Sequence, residues 1–288
     1  METRPLGDTG QESSILTFGA IILDKLEQEG ANQAVELAVD RGVNHVDVAP
    51  TYGDAELKLA PTLGKYREEL FLGCKTQART HEGAWEKLES SLDRLGVDQI
   101  DLYQFHAVTE RAELETITDD DGALEAFREA KAEGLIDHIG LTSHGAPDVI
   151  VDAIDRIDDL ATVMFPLNYV VLGKGDEHDY GTVLDRATEA GLGTIGIKAF
   201  AKGPWPDDRP RPECPYATWY EPHDRAPRIQ ECVNFALSGD LTTITNAGDP
   251  KLFSMILDAA ERFEELSQEE AAALMDRASG MDTPVPAR

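Results

Sequence analysis

Gly42-Val43-Asn44-His45-Val46-Asp47-Val48-Ala49-Pro50-Thr51-Tyr52-Gly53 is the stretch from which the rest of the chain can be read. His45 to Ala49 reads as a buried strand, and the Pro/Gly turn after it opens a helix. Asp47 is a carboxylate inside an apolar run, which is costly to bury without a partner. Tyr52 stands five residues further on. Two later strands offer partners. Glu69 to Thr76 carries Lys75 near its end, and Ile100 to His106 ends in a histidine. Three neighbouring strands therefore deliver Asp, Tyr, Lys and His at their carboxyl ends, the rim on which parallel α/β barrels build active sites. A Lys beside a Tyr is expected to favour the phenolate, with the Asp holding the Lys charged. A His within reach can hydrogen-bond the same substrate oxygen. Together they form a general acid for a carbonyl oxygen.

The order Asp47, Tyr52, Lys75, His106, with the run G-x-N-x-x-D-x-A-x-x-Y-G, resembles the aldo-keto reductases over nearly the whole chain. The resemblance implies a (β/α)8 TIM barrel with an N-terminal β-hairpin, a long loop after the seventh barrel strand and a C-terminal helix. It also implies NAD(P)H-dependent reduction of an aldehyde or ketone, or the reverse oxidation. In that scheme Tyr52 is the acid, Lys75 and Asp47 tune it, and His106 orients the carbonyl.

A chain of 288 residues fits one such barrel of about 250 residues with additions, so residues 1–288 are expected to form one domain. The N-terminus shows no secretory leader and no run of 18 apolar residues occurs, so neither secretion nor a membrane span is expected. Cys74, Cys214 and Cys232 are far apart and in no metal-binding spacing. A reducing cytoplasm and no metal site are expected.

Acidic residues number 55 against 26 basic ones, for a net charge of −29, and they are dispersed along the chain, with a local run at Asp119-Asp120-Asp121. Such self-repulsion is relieved by salt, and the pattern is that of halophilic proteins. Nucleic acid and anionic membrane are poor partners for this field.

Strand and helix patterns alternate about eight times. A Gly-Asp-Thr-Gly turn at Gly7 to Gly10 marks the hairpin, and Ile15 to Ile21 reads as the first barrel strand. Asp54 to Leu63 reads as a helix stopped by Gly64, and Ala107 to Asp120 as a long polar loop over the site. Thr162 to Asn168 and Gly193 to Phe200 read as strands six and seven of the barrel. Lys202 to Pro227 holds seven of the 15 prolines with Trp205, Tyr216, Trp219 and Tyr220, and loops of this length are commonly functional. Gln268 to Arg277 reads as a final helix before a frayed Pro-rich tail.

The resemblance also implies a dinucleotide, NADP or NAD, held across the barrel mouth without a Gly-rich Rossmann loop. The positions implied are Gly19 and Ala20 beside the nicotinamide, then Thr142 and Ser143 in place of a Ser-Asn pair. Met164 stands where a Gln is usual, and Lys198 where an aromatic often stacks. After the last strand, Asn246, Ala247 and Leu252 replace the Lys, Ser and Arg that grip a 2′-phosphate, leaving Gly248 backbone donors and Lys251, with Asp249 nearby. Met164 reads also as core packing and His45 as an interior histidine. Trp205, Trp219 and Tyr220 are candidates for the wall of a pocket for a small carbonyl or alcohol substrate. His144 and His178 lie in connecting segments and receive no role. A second reading keeps the fold for a low-turnover, nucleotide-sensing or regulatory module. A third, hydrolytic or lyase chemistry on a barrel, lacks a metal-ligand or paired-carboxylate signature.

Overall fold

The computed structural model describes residues 1–174, 179–207, 210–283 and 285. His178 and the tail prolines Pro284 and Pro286 lie outside the described residues. The chain opens with β1 (Thr3–Pro5) and β2 (Glu12–Ser14), paired antiparallel with Thr3 opposite Ser14. Seven strands of the barrel follow: β3 (Leu16–Gly19), β4 (His45–Asp47), β5 (Phe71–Thr76), β6 (Ile100–Phe105), β7 (Ile136–Thr142), β8 (Leu160–Pro166) and β9 (Gly193–Ile197). After a small antiparallel pair, β10 (Ala201–Gly203) with β11 (Glu221–Pro222), strand β12 (Thr243–Thr245) inserts between β9 and β3. All eight barrel strands run parallel and the sheet closes.

Helices fill the connections: α1 (Gln28–Asp40), α2 (Ala55–Tyr66), α3 (His81–Leu95), α4 (Arg111–Thr118), α5 (Ala123–Ala132), α6 (Pro147–Arg156), α7 (Tyr169–Leu172), α8 (Tyr180–Glu189), α9 (Ala226–Leu237) and α10 (Pro250–Glu261). A last helix, α11 (Gln268–Ala278), follows the barrel. Helix α3 shows the local logic. Ala84, Leu88, Ser91 and Leu95 recur at helical spacing and are buried, Thr80 caps the start by accepting from Gly83 N, and Gly96 ends it in the left-handed region.

The strands alternate between two environments because successive side chains point to opposite faces. In β4, Val46 packs in the core under the helices, while His45 and Asp47 share the other face. Leu6, Phe71, Leu102, Met164 and Ile195 form a separate apolar cluster in the barrel interior. Leu6 comes from the turn between β1 and β2, so the hairpin plugs the bottom of the barrel. Full burial of a leucine contributes roughly 1.5–3 kcal/mol. The plug sits so close that a Cβ on Gly7, already at φ +54°, would stand 2.2 Å from Gly193 N.

Several boundaries differ from the sequence reading. Gly64 lies inside α2 instead of ending it, and Phe200 falls beyond β9, which stops at Ile197. The expected polar loop after β6 contains α4, opened by a reciprocal capping box between Glu110 and Glu113. Asn168 caps the short α7 instead of ending a strand, accepting from Val170 N and Val171 N. The long Pro-rich segment is clasped at its base by the β10–β11 pair, and Val285 in the tail is buried. Among the described residues no helix is long and apolar enough to cross a membrane.

Candidate active site

Strand register brings the polar residues together. Asp47 is level with Gly73 across β4–β5, and Lys75 is level with Gln104 across β5–β6. With one residue between them, Gly73 and Lys75 face the same side of β5, so Lys75 rises one step above Asp47. Its Nζ forms a buried ion pair with Asp47 Oδ1, and Gln104 Nε2 donates to that same oxygen at 3.0 Å. Tyr52, on the turn after β4, places its ring with the centroid 5.6 Å from Lys75 Nζ. His106, just past β6, meets that ring edge-on at 5.9 Å between centroids, and its Nδ1 lies 3.5 Å from Thr51 Oγ1. All four sequence candidates thus converge at the carboxyl-end rim. The backbone under His106 is fixed from outside the barrel. Arg79, paired with Glu113 of α4, donates to the carbonyls of His106 and Ala107.

The electrostatics follow from burial. The Tyr52 phenol is pushed well above its ordinary value, first by burial and then by the charges of Asp47 and Cys74. Lys75 stands beside the ring as expected, but in the free protein burial dominates the phenol. Burial, with Lys75 next in weight, lowers His106 to about 3, so it is a neutral imidazole at pH 7. His45, one step below Asp47 on the same face, is lowered to about 3 by burial and donates to or accepts from Ser13 Oγ through Nδ1 at 2.9 Å.

These residues form one end of a cavity of about 730 Å³. Of the positions the sequence suggested for a dinucleotide, Gly19, Thr142, Met164, Lys198, Asn246 and Gly248 line it. Asn246 Oδ1 accepts from Gly19 N at 2.7 Å, tying the last barrel strand to the first at the mouth. Met164 belongs both to the cavity wall and to the interior apolar cluster. Three suggested positions stand elsewhere. Ala20 is fully buried in the core. Ser143 turns its hydroxyl to Val108 O and accepts from Gly145 N, which holds the loop after β6. Lys251 donates to Pro215 O at 2.9 Å, and Asp249 is occupied as the cap of α10.

Of the aromatic candidates, Tyr220 lines the cavity and is buried, and Trp219 lines it while 82% exposed. Trp205 does not reach it. Its indole donates to Thr218 O at 2.8 Å and pins the long loop. Sequence reasoning missed His144, Arg211, Lys25 and Asp24, all on the cavity wall. His144 follows Ser143 at the end of β7, and this place on the rim was the one available signal. Arg211 carried none, since only the folded loop brings it over the mouth, against the Trp219 ring and the carbonyls of Ala217 and Thr218.

A closed parallel barrel with an Asp–Lys pair, a Tyr and a His gathered at the carboxyl end of successive strands is the architecture of a TIM-barrel enzyme site. The model of the Aldo/keto reductase family matches residues 16–270, and the chain belongs to that family. It is 30% identical over 178 residues to a Bacillus subtilis protein named Uncharacterized oxidoreductase YqkF, covering 57% of this chain and 56% of that one. It is 31% identical over 143 residues to an aldo-keto reductase of Mycobacterium avium, covering 48% of each. The chain thus spans about half the length of the curated relatives it matches. In fold it is similar to the holo form of an aldo-keto reductase from Bacillus halodurans, with TM-score 0.74, 22% identity and 96% of each chain covered.

Proposed function

We propose that this cavity carries out NAD(P)H-dependent reduction of a small aldehyde or ketone to an alcohol, or the reverse oxidation. The observation that carries the proposal is the convergence of Tyr52, the buried Lys75–Asp47 pair and neutral His106 on one end of the cavity. Tyr52 is the general acid. Its raised phenol stays protonated at neutral pH, which is the form that gives a proton to a carbonyl oxygen. Lys75, held in place by Asp47, sets a positive charge beside the ring where negative charge develops in the transition state. His106, as a neutral imidazole, orients the carbonyl oxygen by a hydrogen bond.

The nicotinamide cofactor, when bound, supplies the hydride to the carbonyl carbon. The cavity fits such a group in charge. It is lined by four cations (Lys25, Lys75, Lys198, Arg211) against two carboxylates (Asp24, Asp47) in a chain of net charge −29. Gly19, Thr142, Met164, Asn246 and Gly248 would border the dinucleotide, and exposed Lys25 and Arg211 could meet its diphosphate. Selective grip on a 2′-phosphate needs dedicated cations. Leu252 is buried and Lys251 is engaged with Pro215, so we expect little preference between NADPH and NADH. The dispersed acidic charge fits an enzyme of a salty cytoplasm.

The test is Tyr52→Phe assayed on a carbonyl panel with both cofactors. The ring still packs, but the proton donor is gone, so turnover should drop ~10²–10⁴-fold with cofactor affinity nearly unchanged. A variant retaining more than about a tenth of wild-type turnover would show that Tyr52 is not the acid.

A further inference from the structure

Among the described residues, Lys198 is the one cation of the cavity wall that is both removed from bulk water and left without a counter-charge. Lys75 is buried but paired with Asp47, and Lys25 is exposed and paired with Asp24. Arg211 is exposed and bonded to two loop carbonyls. Lys198 is half-buried, and among the described residues its amine has neither a carboxylate nor a hydrogen-bond acceptor. Burial lowers it to about 8, so the ammonium persists at neutral pH although no described residue balances it.

The backbone is built to keep it there. Lys198 follows β9 in the left-handed region at φ +57°, a conformation disfavoured for a side chain with a Cβ. Its carbonyl is held twice, by Asn168 Nδ2 at 2.8 Å and Ala201 N at 3.0 Å. A strained residue clamped at a cavity wall is a reason to look for a role there.

Lys198 lines the same cavity as Tyr52, His106 and His144. Burial, and then the charges of Lys198 and Lys75, lower His144 to about 3, so its imidazole is neutral at pH 7. With His144 neutral, Lys198 is the cation of the described lining that neither a carboxylate nor a loop carbonyl offsets. The two exposed cations, Lys25 and Arg211, are by contrast open to solvent.

We propose that Lys198 selects the substrate: it pairs with the carboxylate of a small aldehyde or ketone acid whose carbonyl lies at Tyr52 and His106. This rests on the carbonyl-reductase reading above and adds the substrate class to it. One ammonium matches one monoanionic carboxylate, and in a half-buried site such a charge-assisted contact is stronger than at the surface.

The experiment compares 4-carboxybenzaldehyde with its neutral methyl ester, methyl 4-formylbenzoate, in wild type, Lys198→Met and Lys198→Arg. Benzoate binding is followed separately by protein fluorescence, and cofactor Kd by the fluorescence of NADH and NADPH. Wild type should favour the carboxylate. Lys198→Met should lose roughly 10- to 100-fold in kcat/KM on the carboxylate, chiefly through KM, and far less on the ester. Benzoate binding should weaken in parallel, and Lys198→Arg should restore most of both. Equal losses on the two aldehydes, or unchanged benzoate binding, would overturn the assignment. A cofactor Kd weakened as much as the carboxylate KM would move Lys198 to the dinucleotide and overturn it too. If wild type reduces neither aldehyde nor any member of the carbonyl panel, the reductase reading fails on its own, and the benzoate arm still decides whether Lys198 binds a carboxylate.

Discussion

Asp47→Asn isolates the charge of the carboxylate from its shape. The Asp47 and Lys75 side chains are only 4% and 1% exposed, so the pair is screened little by solvent. Asn keeps an oxygen that can accept from Lys75 and Gln104, so packing and hydrogen bonds largely survive while a buried ammonium loses its counter-charge. Breaking a buried ion pair from one side typically costs about 3–5 kcal/mol, and the retained oxygen places the expected loss near the lower end, about 3 kcal/mol. Lys75→Met should cost a comparable amount, since Asp47 would keep only the Gln104 hydrogen bond at 3.0 Å. The double variant removes both charges and should recover most of the loss, because a neutral pair needs no compensation. Urea unfolding of all four proteins at one fixed salt concentration and pH 7 measures this cycle. A loss under about 1 kcal/mol for Asp47→Asn, or strictly additive single effects in the double variant, would refute the claim that the pair is a buried, mutually dependent ion pair.

Stability should rise strongly from low to molar KCl, because salt screens repulsion among the dispersed carboxylates of a chain with net charge −29; a melting temperature flat across the salt series counts against this. Acid should destabilise the fold below about pH 6.5. His45, His106 and His144 are held near 3 when folded but take protons near 6.5 when unfolded, so their contribution is complete above that value and lost as pH falls toward 3. Each can add up to about 1.4 kcal/mol per pH unit in that window, and unfolding free energies equal at pH 7 and pH 5 would contradict it. Lys251→Ala should leave the NADPH to NADH ratio of kcat/KM nearly unchanged, since its amine serves Pro215; a large fall in that ratio would return Lys251 to the 2′-phosphate.

The barrel was legible because its determinants are local. Buried strands and amphipathic helices alternate, and glycines such as Gly96 end helices in a conformation that other residues adopt at a cost. The positions of Asp47, Lys75 and His106 were legible for the same reason, because strand ends in a parallel barrel share one rim. Local pattern could not show which hydroxyl or amine would be used up by its neighbours. Ser143 and Thr142 are adjacent on one strand end and both hydroxyls bond the loop after β6, yet only Thr142 also lines the cavity. Likewise Lys251 follows the last strand as a phosphate ligand would, but the Pro-rich loop folds down and takes its amine. That same loop carries Arg211 over the mouth from a segment with no periodicity to announce it. The state of Tyr52 was decided at this level as well. Adjacency of a Lys predicts an easier phenolate, but burial in the closed barrel, with the Asp47 charge next, raises the phenol. Strand period and chain order assign a residue to the rim, while its partners and protonation depend on segments far away in sequence, which only closure of the barrel brings into contact.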